Sequence, residues 1–311
     1  MLATSALVRR SVLVVPLLDT VAVEGSWRHE ADAVALDLGG DSVRPATRTS
    51  LAQAIATAAR GGAEVFVCVE RDRVYAQLKS AAGAVGLTGV AVRDAESARD
   101  VERVDEVLRE HERNEGMLSG SLEILPLVGT ARGVWNVREV VTASARIRCA
   151  GIDEPGLCRS LDIVPHEQFD PFGFARGRLI VETLAAVKLP IGIGHPLGAL
   201  PRDASQDDVL RVADRARNTG FKGALCPFSS WVAACNRAFT PTDEQVAYYR
   251  EVRQAFAEGV KRGTAAVPFP GGRMIDVPVD ERARLVIDWS ERCRARDAQK
   301  AAALSRAWQP R

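Results

Sequence analysis

The sequence predicts a TIM-type (β/α)8 barrel followed by a C-terminal helical extension. Eight short apolar segments alternate with amphipathic helical segments, and the length of 311 residues suits one such barrel. The apolar runs are continuous rather than alternating, which indicates parallel strands covered on both faces. We therefore expect the barrel over residues 1–239 and the extension over 240–311, packing on a neighbouring subunit.

The predicted strands share short runs of β-branched and other apolar residues, most clearly in the first run, SVLVVP. They are Ser11–Pro16, Ala33–Leu38, Glu64–Val69, Gly89–Val92, Glu123–Val128, Ile147–Ile152, Leu189–Ile193 and Gly223–Cys226. The alternative is a doubly wound open sheet. No glycine-rich phosphate loop follows the first strand, which favours the barrel.

The predicted helices between the strands carry apolar residues at helical spacing. They are Thr49–Ala59, Arg73–Ala82, Ser97–Glu112, Val134–Ala145, Phe174–Val187 and Gln206–Thr219. Past the barrel, Thr242-Asp243-Glu244 is an N-terminal signal for a long helix over Thr240–Lys261. A final helix is expected over Asp280–Asp297, with a frayed tail from Ala298.

Composition excludes several classes of function. Basic and acidic residues number 41 and 40, so the charge gives no reason to expect nucleic-acid or polybasic membrane binding. The six cysteines show neither a CxxC pair nor zinc spacing, which predicts free thiols in a reducing cytoplasm. Arg9-Arg10 before an apolar run slightly resembles a twin-arginine signal, but the run is short and Pro16 follows it, so a first strand is favoured. No run approaches the ~20 residues of a membrane span.

Eight segments carry motifs whose order and spacing extend over most of the chain. They are Arg10–Pro16, Leu36–Leu38, Gly89–Ser97, Ile124–Glu139, Phe174–Leu179, Gly220–Gly223, Asn236–Pro241 and Gly272–Pro278. Together they resemble the citrate lyase beta subunit and HpcH/HpaI aldolase superfamily. The most specific is ILPLVGTARGVWNVRE, which resembles the family's ILPLIETARGVLNARE.

The resemblance implies a carbon–carbon lyase or aldolase that acts on a small carboxylic acid or an acyl-CoA thioester. It implies Mg²⁺ held by a Glu after strand five and an Asp after strand six, and an Arg after strand three that faces the substrate carbonyl. This sequence departs at each place. The Glu position is Gly129, the Arg position is Cys68, and the Asp position falls on Glu154 with Asp153 beside it. The Lys of the family's fourth-strand motif is Asp94.

Glu154 and Asp153 are accordingly the candidate metal ligands, because carboxylate oxygens suit a hard cation. Asp37, Arg132 and His195 are the candidate catalytic residues, since each lies near the carboxyl end of a predicted strand. Each has an alternative role: Asp37 as a neighbour's hydrogen-bond acceptor, Arg132 as an ordering group of its loop, His195 as a loop residue before proline.

Other residues at these strand ends need interpretation. Asp41, Glu70 and Asp94 are further carboxylates available to a rebuilt site. Cys68 is expected to be a buried small hydrophobe, and a nucleophilic role would need a partner such as His195.

Two functions remain open: a lyase with a rebuilt site, or a non-catalytic homologue that binds a metabolite or partner after losing the metal site. Carboxylates that converge within metal-binding distance at the strand ends would favour the enzyme, and a pocket closed by Phe228 and Trp231 would favour the binder. The helices outside the finished barrel predict a homo-oligomer, a trimer or hexamer.

Overall fold

The computed structural model describes residues 7–39, 47–81, 84–164, 169–193, 200–271 and 273–308. It divides into two compact units, one of Met1–Phe239 with Lys300–Arg311 and one of Thr240–Gln299. The first boundary coincides with the expected end of the barrel. The last twelve residues, however, belong to the first unit.

The first unit is a parallel eight-stranded barrel with strands in sequential order, as predicted. The strands are β1 (Ser11–Pro16), β2 (Ala33–Asp37), β3 (Glu64–Glu70), β4 (Leu87–Arg93), β5 (Glu123–Val128), β6 (Cys149–Ile152), β7 (Leu189–Ile191) and β8 (Ala224–Cys226). β1 pairs with both β2 and β8. Two backbone hydrogen bonds, from Gly192 to Gly223 and from Lys222 to Pro190, join β7 to β8 and complete the ring.

Alternate residues of each strand fill the barrel or face the surrounding helices. The interior is a small apolar cluster that includes Phe66, Cys68 and Leu127. At the amino-terminal end, the buried guanidinium of Arg9 donates to Glu64 at 2.8 Å, and it lies over the Phe66 ring. This end is therefore closed by an ion pair, and the carboxyl end carries the accessible side chains.

Ten helices surround the described part of the barrel. They are α1 (Thr20–Gly25), α2 (Thr47–Ala59), α3 (Val74–Lys79), α4 (Ala98–Asn114), α5 (Ala131–Trp135), α6 (Val137–Thr142), α7 (Glu154–Leu161), α8 (Gly173–Ala185), α9 (Gln206–Thr219) and α10 (Val232–Ala238). The single helix expected over Val134–Ala145 is wrong, because the helix is interrupted at Asn136 between α5 and α6. The Asn136 side chain donates to the backbone oxygen of Glu96 at 2.9 Å.

The second unit consists of α11 (Asp243–Lys261), the hairpin β9 (Val267–Phe269) and β10 (Arg273–Ile275), and the first part of α12 (Val277–Ala307). Thr242 and Gln245 form a capping box at the start of α11, as the TDE signal indicated. Val252, Val267, Ile275 and Ala283 form the core of this unit. No helix in the described ranges is long and apolar enough to cross a membrane.

The expected fraying from Ala298 is also wrong, because α12 continues to Ala307. Lys300 is buried in the first unit, where its ammonium donates to Asp32 at 2.7 Å. Trp308 packs on Trp27 with ring centroids 5.1 Å apart. These contacts, between residues distant in sequence, hold the carboxyl terminus in the barrel unit.

Candidate functional site

A cavity of about 480 Å³ opens at the carboxyl ends of β2, β3 and β4. In a parallel barrel this is the end where functional side chains converge. Its lining is strongly polar and carries both signs of charge. The residues are Asp37, Gly39, Cys68, Glu70, Arg71, Asp72, Gln77, Arg93, Asp94, Glu96, Thr130 and Arg159.

Arg93, the last residue of β4, lies at the centre of this end of the barrel. Its guanidinium donates to Asp37 at 2.7 Å and to Asp153 at 3.3 Å, so it joins the ends of β2 and β6. Burial alone would lower its pKa, but the neighbouring acidic groups, Cys68 first and then Asp37 and Asp153, outweigh burial and raise it. Arg93 is therefore a fixed cation. Of the predicted site residues, it brings together Asp37 and Asp153.

Cys68 lies beneath this arginine and is 2% exposed. Burial raises the pKa of its thiol to about 12, against the opposing charge of Arg93. A thiol with this pKa stays protonated at neutral pH, so it is a poor nucleophile. The expectation that Cys68 is a small buried hydrophobe agrees with this placement.

Asp94 directly follows β4, and its side chain extends toward Gly129. A Cβ atom added to Gly129 would lie 2.6 Å from Oδ1 of Asp94 and 3.3 Å from Oδ2 of Asp153. The two carboxylates therefore approach one point, which a side chain at residue 129 would fill. Oδ1 of Asp94 is buried and accepts no hydrogen bond from the described residues. Burial raises the pKa of Asp94, and the neighbouring charge of Asp153 raises it further.

A second arginine orders the rim of the cavity. Arg71 donates to the backbone oxygen of Asp94 at 3.1 Å and pairs with Glu96 at 2.5 Å. Burial opposes ionisation of Glu96, but hydrogen bonds from Arg71 and Thr130 lower its pKa. Arg132 also lowers the pKa of Glu96 through its charge. The predicted catalytic residue Arg132 is thus exposed beside the rim, outside the cavity lining.

Glu154 begins α7 and is directed away from the cavity. It is 1% exposed, and Oε1 accepts from Nε of Arg176 at 2.7 Å. Asp153, the neighbouring predicted ligand, caps α7 by accepting from the backbone amide of Gly156 at 3.2 Å. Metal binding by Glu154 stays a prediction, and in this arrangement it would require loss of a buried ion pair.

The remaining expectations concern the other side of the barrel mouth. His195 and Asp41 lie outside the described residues. Phe228 and Trp231 pack edge-to-face at 5.6 Å, Trp231 is fully buried, and neither lines the cavity. Two carboxylates, Asp94 and Asp153, approach each other at this end of the barrel, whereas Phe228 and Trp231 are not among the described residues that line the cavity.

Arg93, Arg71 and Arg159 are the cationic residues of the cavity, and sequence reasoning missed all three. A signal existed for Arg93, since it is the charged residue that directly follows the predicted strand Gly89–Val92. Its direction across the barrel could not be read, because this depends on the pairing of β2, β3 and β4.

The donor set can accommodate a small divalent cation only with help. The described residues contain no group of three or more His, Cys, Asp or Glu side chains placed to hold a metal. Mg²⁺ commonly uses one or two carboxylates and keeps water or substrate oxygens as its other ligands. Oδ1 of Asp94, which is buried and has no partner in the described part of the chain, and the nearby carboxylate of Asp153, which also accepts from Arg93 and Gly156, fit such a two-carboxylate site.

Comparisons with known proteins agree with the barrel and its motifs. The model of the family described as HpcH/HpaI aldolase/citrate lyase matches residues 10–226. Citrate lyase subunit beta of Haemophilus influenzae is 24% identical over 90% of this chain and 96% of its own length. L-malyl-CoA/beta-methylmalyl-CoA lyase of Cereibacter sphaeroides is 27% identical over 62% of this chain and 64% of its own length.

One solved structure shows the same fold at low identity. The crystal structure of protein CitE from Mycobacterium tuberculosis in complex with magnesium, acetoacetate and coenzyme A superimposes with a TM-score of 0.67. It is 21% identical and covers 92% of this chain and all of the other.

Proposed function

Since the chain belongs to the HpcH/HpaI aldolase/citrate lyase family, we propose that it is a carbon–carbon lyase acting on a small carboxylic acid or its acyl-CoA thioester. The observation that carries this proposal is the Arg93 guanidinium at the centre of the barrel mouth. It lies beside two carboxylates, Asp94 and Asp153, that approach one point. A cationic hydrogen-bond donor beside converging carboxylates suits a substrate that is anionic and that develops further negative charge during the reaction.

Cleavage of a β-hydroxy thioester leaves a carbonyl compound and an enolate. The hydroxyl proton must leave, and the electron pair of the broken bond passes to the thioester carbonyl before a proton is added at carbon. Mg²⁺, when held by Asp153 with a second carboxylate, would polarise the carbonyl and stabilise this enolate. Arg93 would orient the substrate carboxylate through its planar donor groups. His195 as the general base stays a prediction.

The choice of acyl-CoA substrates comes from the relatives. Among these are the malyl-CoA lyase mentioned above and a mitochondrial citramalyl-CoA lyase of Mus musculus. The cavity volume of about 480 Å³ leaves room for the acid end of such a molecule, and the lining includes Arg71 and Arg159. Guanidinium groups bind carboxylates and phosphates well, so either a free acid or a thioester suits the rim.

The test is a cleavage assay with purified protein and Mg²⁺ on L-malyl-CoA, citramalyl-CoA and citrate. Formation of the shorter acyl-CoA, or of the keto product from citrate, would be followed by chromatography. We expect cleavage of at least one compound, and loss of cleavage in Arg93→Ala. Failure of the wild-type protein on all three, at micromolar enzyme, would reject the proposed function.

The alternative is a binding protein without turnover. Its specific support is that all three predicted site carboxylates are engaged: Asp37 and Asp153 accept from Arg93, and Glu154 accepts from Arg176. Binding of a thioester without cleavage in the same assay would favour it.

We also propose a homo-oligomer, a trimer or hexamer. Trp135 and Phe174, each 67% exposed on the barrel's helices, are apolar surface that a second copy could cover. A monomer in sedimentation at micromolar concentration would reject this.

A further inference from the structure

Two consecutive residues at the end of β4 combine features that the rest of the site does not explain. We propose that Arg93 and Asp94 are the substrate-facing pair of this site. Arg93 binds the carboxylate or carbonyl of the substrate, and Asp94, with Asp153, holds a divalent cation. The inference rests on the proposed function for its substrate class.

The path of the Arg93 side chain is the first step. It begins on β4 and ends against Asp37 on β2, so it crosses the end of β3, the strand between them. The β3 residue beneath this path is Cys68, which is in register with Asp37 on one side and Ala91 on the other. A long side chain at residue 68 would occupy the same space. The small thiol therefore leaves room for an arginine that comes from the neighbouring strand.

The position of the Asp94 carboxylate is the second step. Its Oδ1 atom lies where a side chain at Gly129 would begin, and it is buried with no hydrogen-bond donor among the residues that the structure describes. A buried carboxylate oxygen without a partner is costly, and a cation would compensate it. Asp94 also adopts a φ of +50°, a left-handed conformation that is uncommon for residues with a side chain. Such residues often occur at functional sites.

The side chains of Arg93 and Asp94 are accommodated in the same way. β4 lies between β3 and β5, and each of these flanking strands has a small residue where β4 inserts a charged side chain. Cys68 and Gly129 are also the positions where the family resemblance implies an arginine and a glutamate. Both charged groups are thus present in the barrel mouth, although they are attached to the strand between.

The cation part is tested by Mn²⁺ binding, followed by electron paramagnetic resonance, with the whole protein and pyruvate as a small keto acid. Asp94→Asn and Asp153→Asn are suitable variants, because asparagine tolerates the left-handed backbone and also caps helices. We expect each to weaken Mn²⁺ binding at least about tenfold. The matched control is Asp203→Asn, an exposed carboxylate on the turn before α9, which should bind as the wild type does.

The arginine part is tested by pyruvate affinity, measured by calorimetry at saturating Mn²⁺. Arg93→Ala should lose about 100-fold in affinity, because it removes one partner of a partly buried charge pair. Cys68→Arg in the Arg93→Ala background should recover most of the loss, since the vacated space and charge are restored. Free guanidinium ion added to Arg93→Ala should also restore binding in part, without a second substitution.

Several results would overturn the inference. These are no Mn²⁺ binding by the wild type with pyruvate present, equal Mn²⁺ affinity in Asp94→Asn and the wild type, or unchanged pyruvate affinity in Arg93→Ala. The proposed function fails independently of these results if the wild type cleaves none of the three substrates while the binding losses occur as expected. Cleavage by the wild type with full activity in Arg93→Ala and Asp94→Asn would retain the lyase and reject this pair.

Discussion

The buried ion pair between Glu154 and Arg176 gives the sharpest test of what a family-motif carboxylate does here. The exposed fractions of the two side chains are 1% and 7%, and the Oε1 to Nε distance is 2.7 Å. Removing one partner of a buried pair typically costs ~3–5 kcal/mol. In Glu154→Gln the amide oxygen still accepts one hydrogen bond, and Arg176 keeps its contact with Asp170. We therefore expect a loss of about 2 kcal/mol in the free energy of unfolding.

The control has the same donor–acceptor distance but an exposed arginine. Arg138 and Glu182 are also 2.7 Å apart, and the exposed fractions of their side chains are 71% and 11%. Because the Arg138 charge is largely in water and Glu182 keeps Arg178 at 3.6 Å, Arg138→Gln should lower the free energy of unfolding by less than about 1 kcal/mol. Both values come from urea unfolding followed by circular dichroism, with the slopes compared to verify two-state behaviour.

The two roles of Glu154 separate in this experiment. A structural role predicts lower stability with unchanged Mn²⁺ affinity in the folded protein. A stability within about 0.5 kcal/mol of the wild type, together with lost Mn²⁺ binding, would refute the structural reasoning and support the ligand predicted from the sequence.

Three further measurements test other parts of the structure. Burial would raise the pKa of Glu112, but hydrogen bonds from Arg146 and two backbone amides lower it to about 2. A lowered carboxyl pKa stabilises the fold above the ordinary value near 4.5, so ~3 kcal/mol should be lost as pH falls from about 4.5 to 2, and Glu112→Gln should flatten this dependence. Lys300→Met should lower the melting temperature clearly more than the same change at the exposed Lys261, because it leaves a buried aspartate short of one partner. With a thiol reagent the folded protein should react at about one cysteine, Cys158, since the other five are buried; fast reaction of several thiols would contradict the burial.

The barrel was predictable because its strands are covered on both faces. β1 and β5 were predicted with the bounds that the structure has, since long apolar runs end there at proline or before glycine. The break at Asn136 was not predictable from periodicity, because its cause is a hydrogen bond to a residue forty positions earlier. The docked tail was missed for the same reason: Lys300 reads as a solvated residue until Asp32 is placed beside it.

The location of the site was predictable from the sequence, but only some of its residues were. Asp37 and Asp153 were expected at the carboxyl ends of their strands, and the structure joins them through Arg93. Glu154 was chosen because of its position in a motif. It lies one residue beyond Asp153, at the start of α7, and its side chain is therefore turned away from the barrel axis. That direction follows from the Asp153 cap, whose side chain bonds to Gly156.

A missing motif residue in a parallel barrel need not mean a missing functional group. The strand ends converge on one axis, so a group is defined by where its charged atoms lie rather than by the strand that carries it. Neighbouring strands are ~4.8 Å apart. An arginine side chain is longer than this spacing and can pass over the strand beside it, whereas an aspartate side chain is shorter and cannot. Arg93 can therefore act across β3 if residue 68 is small. Asp94 reaches the space at β5 only because residue 129 has no side chain. A site that is altered but retained therefore requires small residues at positions 68 and 129, and Cys68 and Gly129 meet this requirement. A site that has lost its function does not require small residues there.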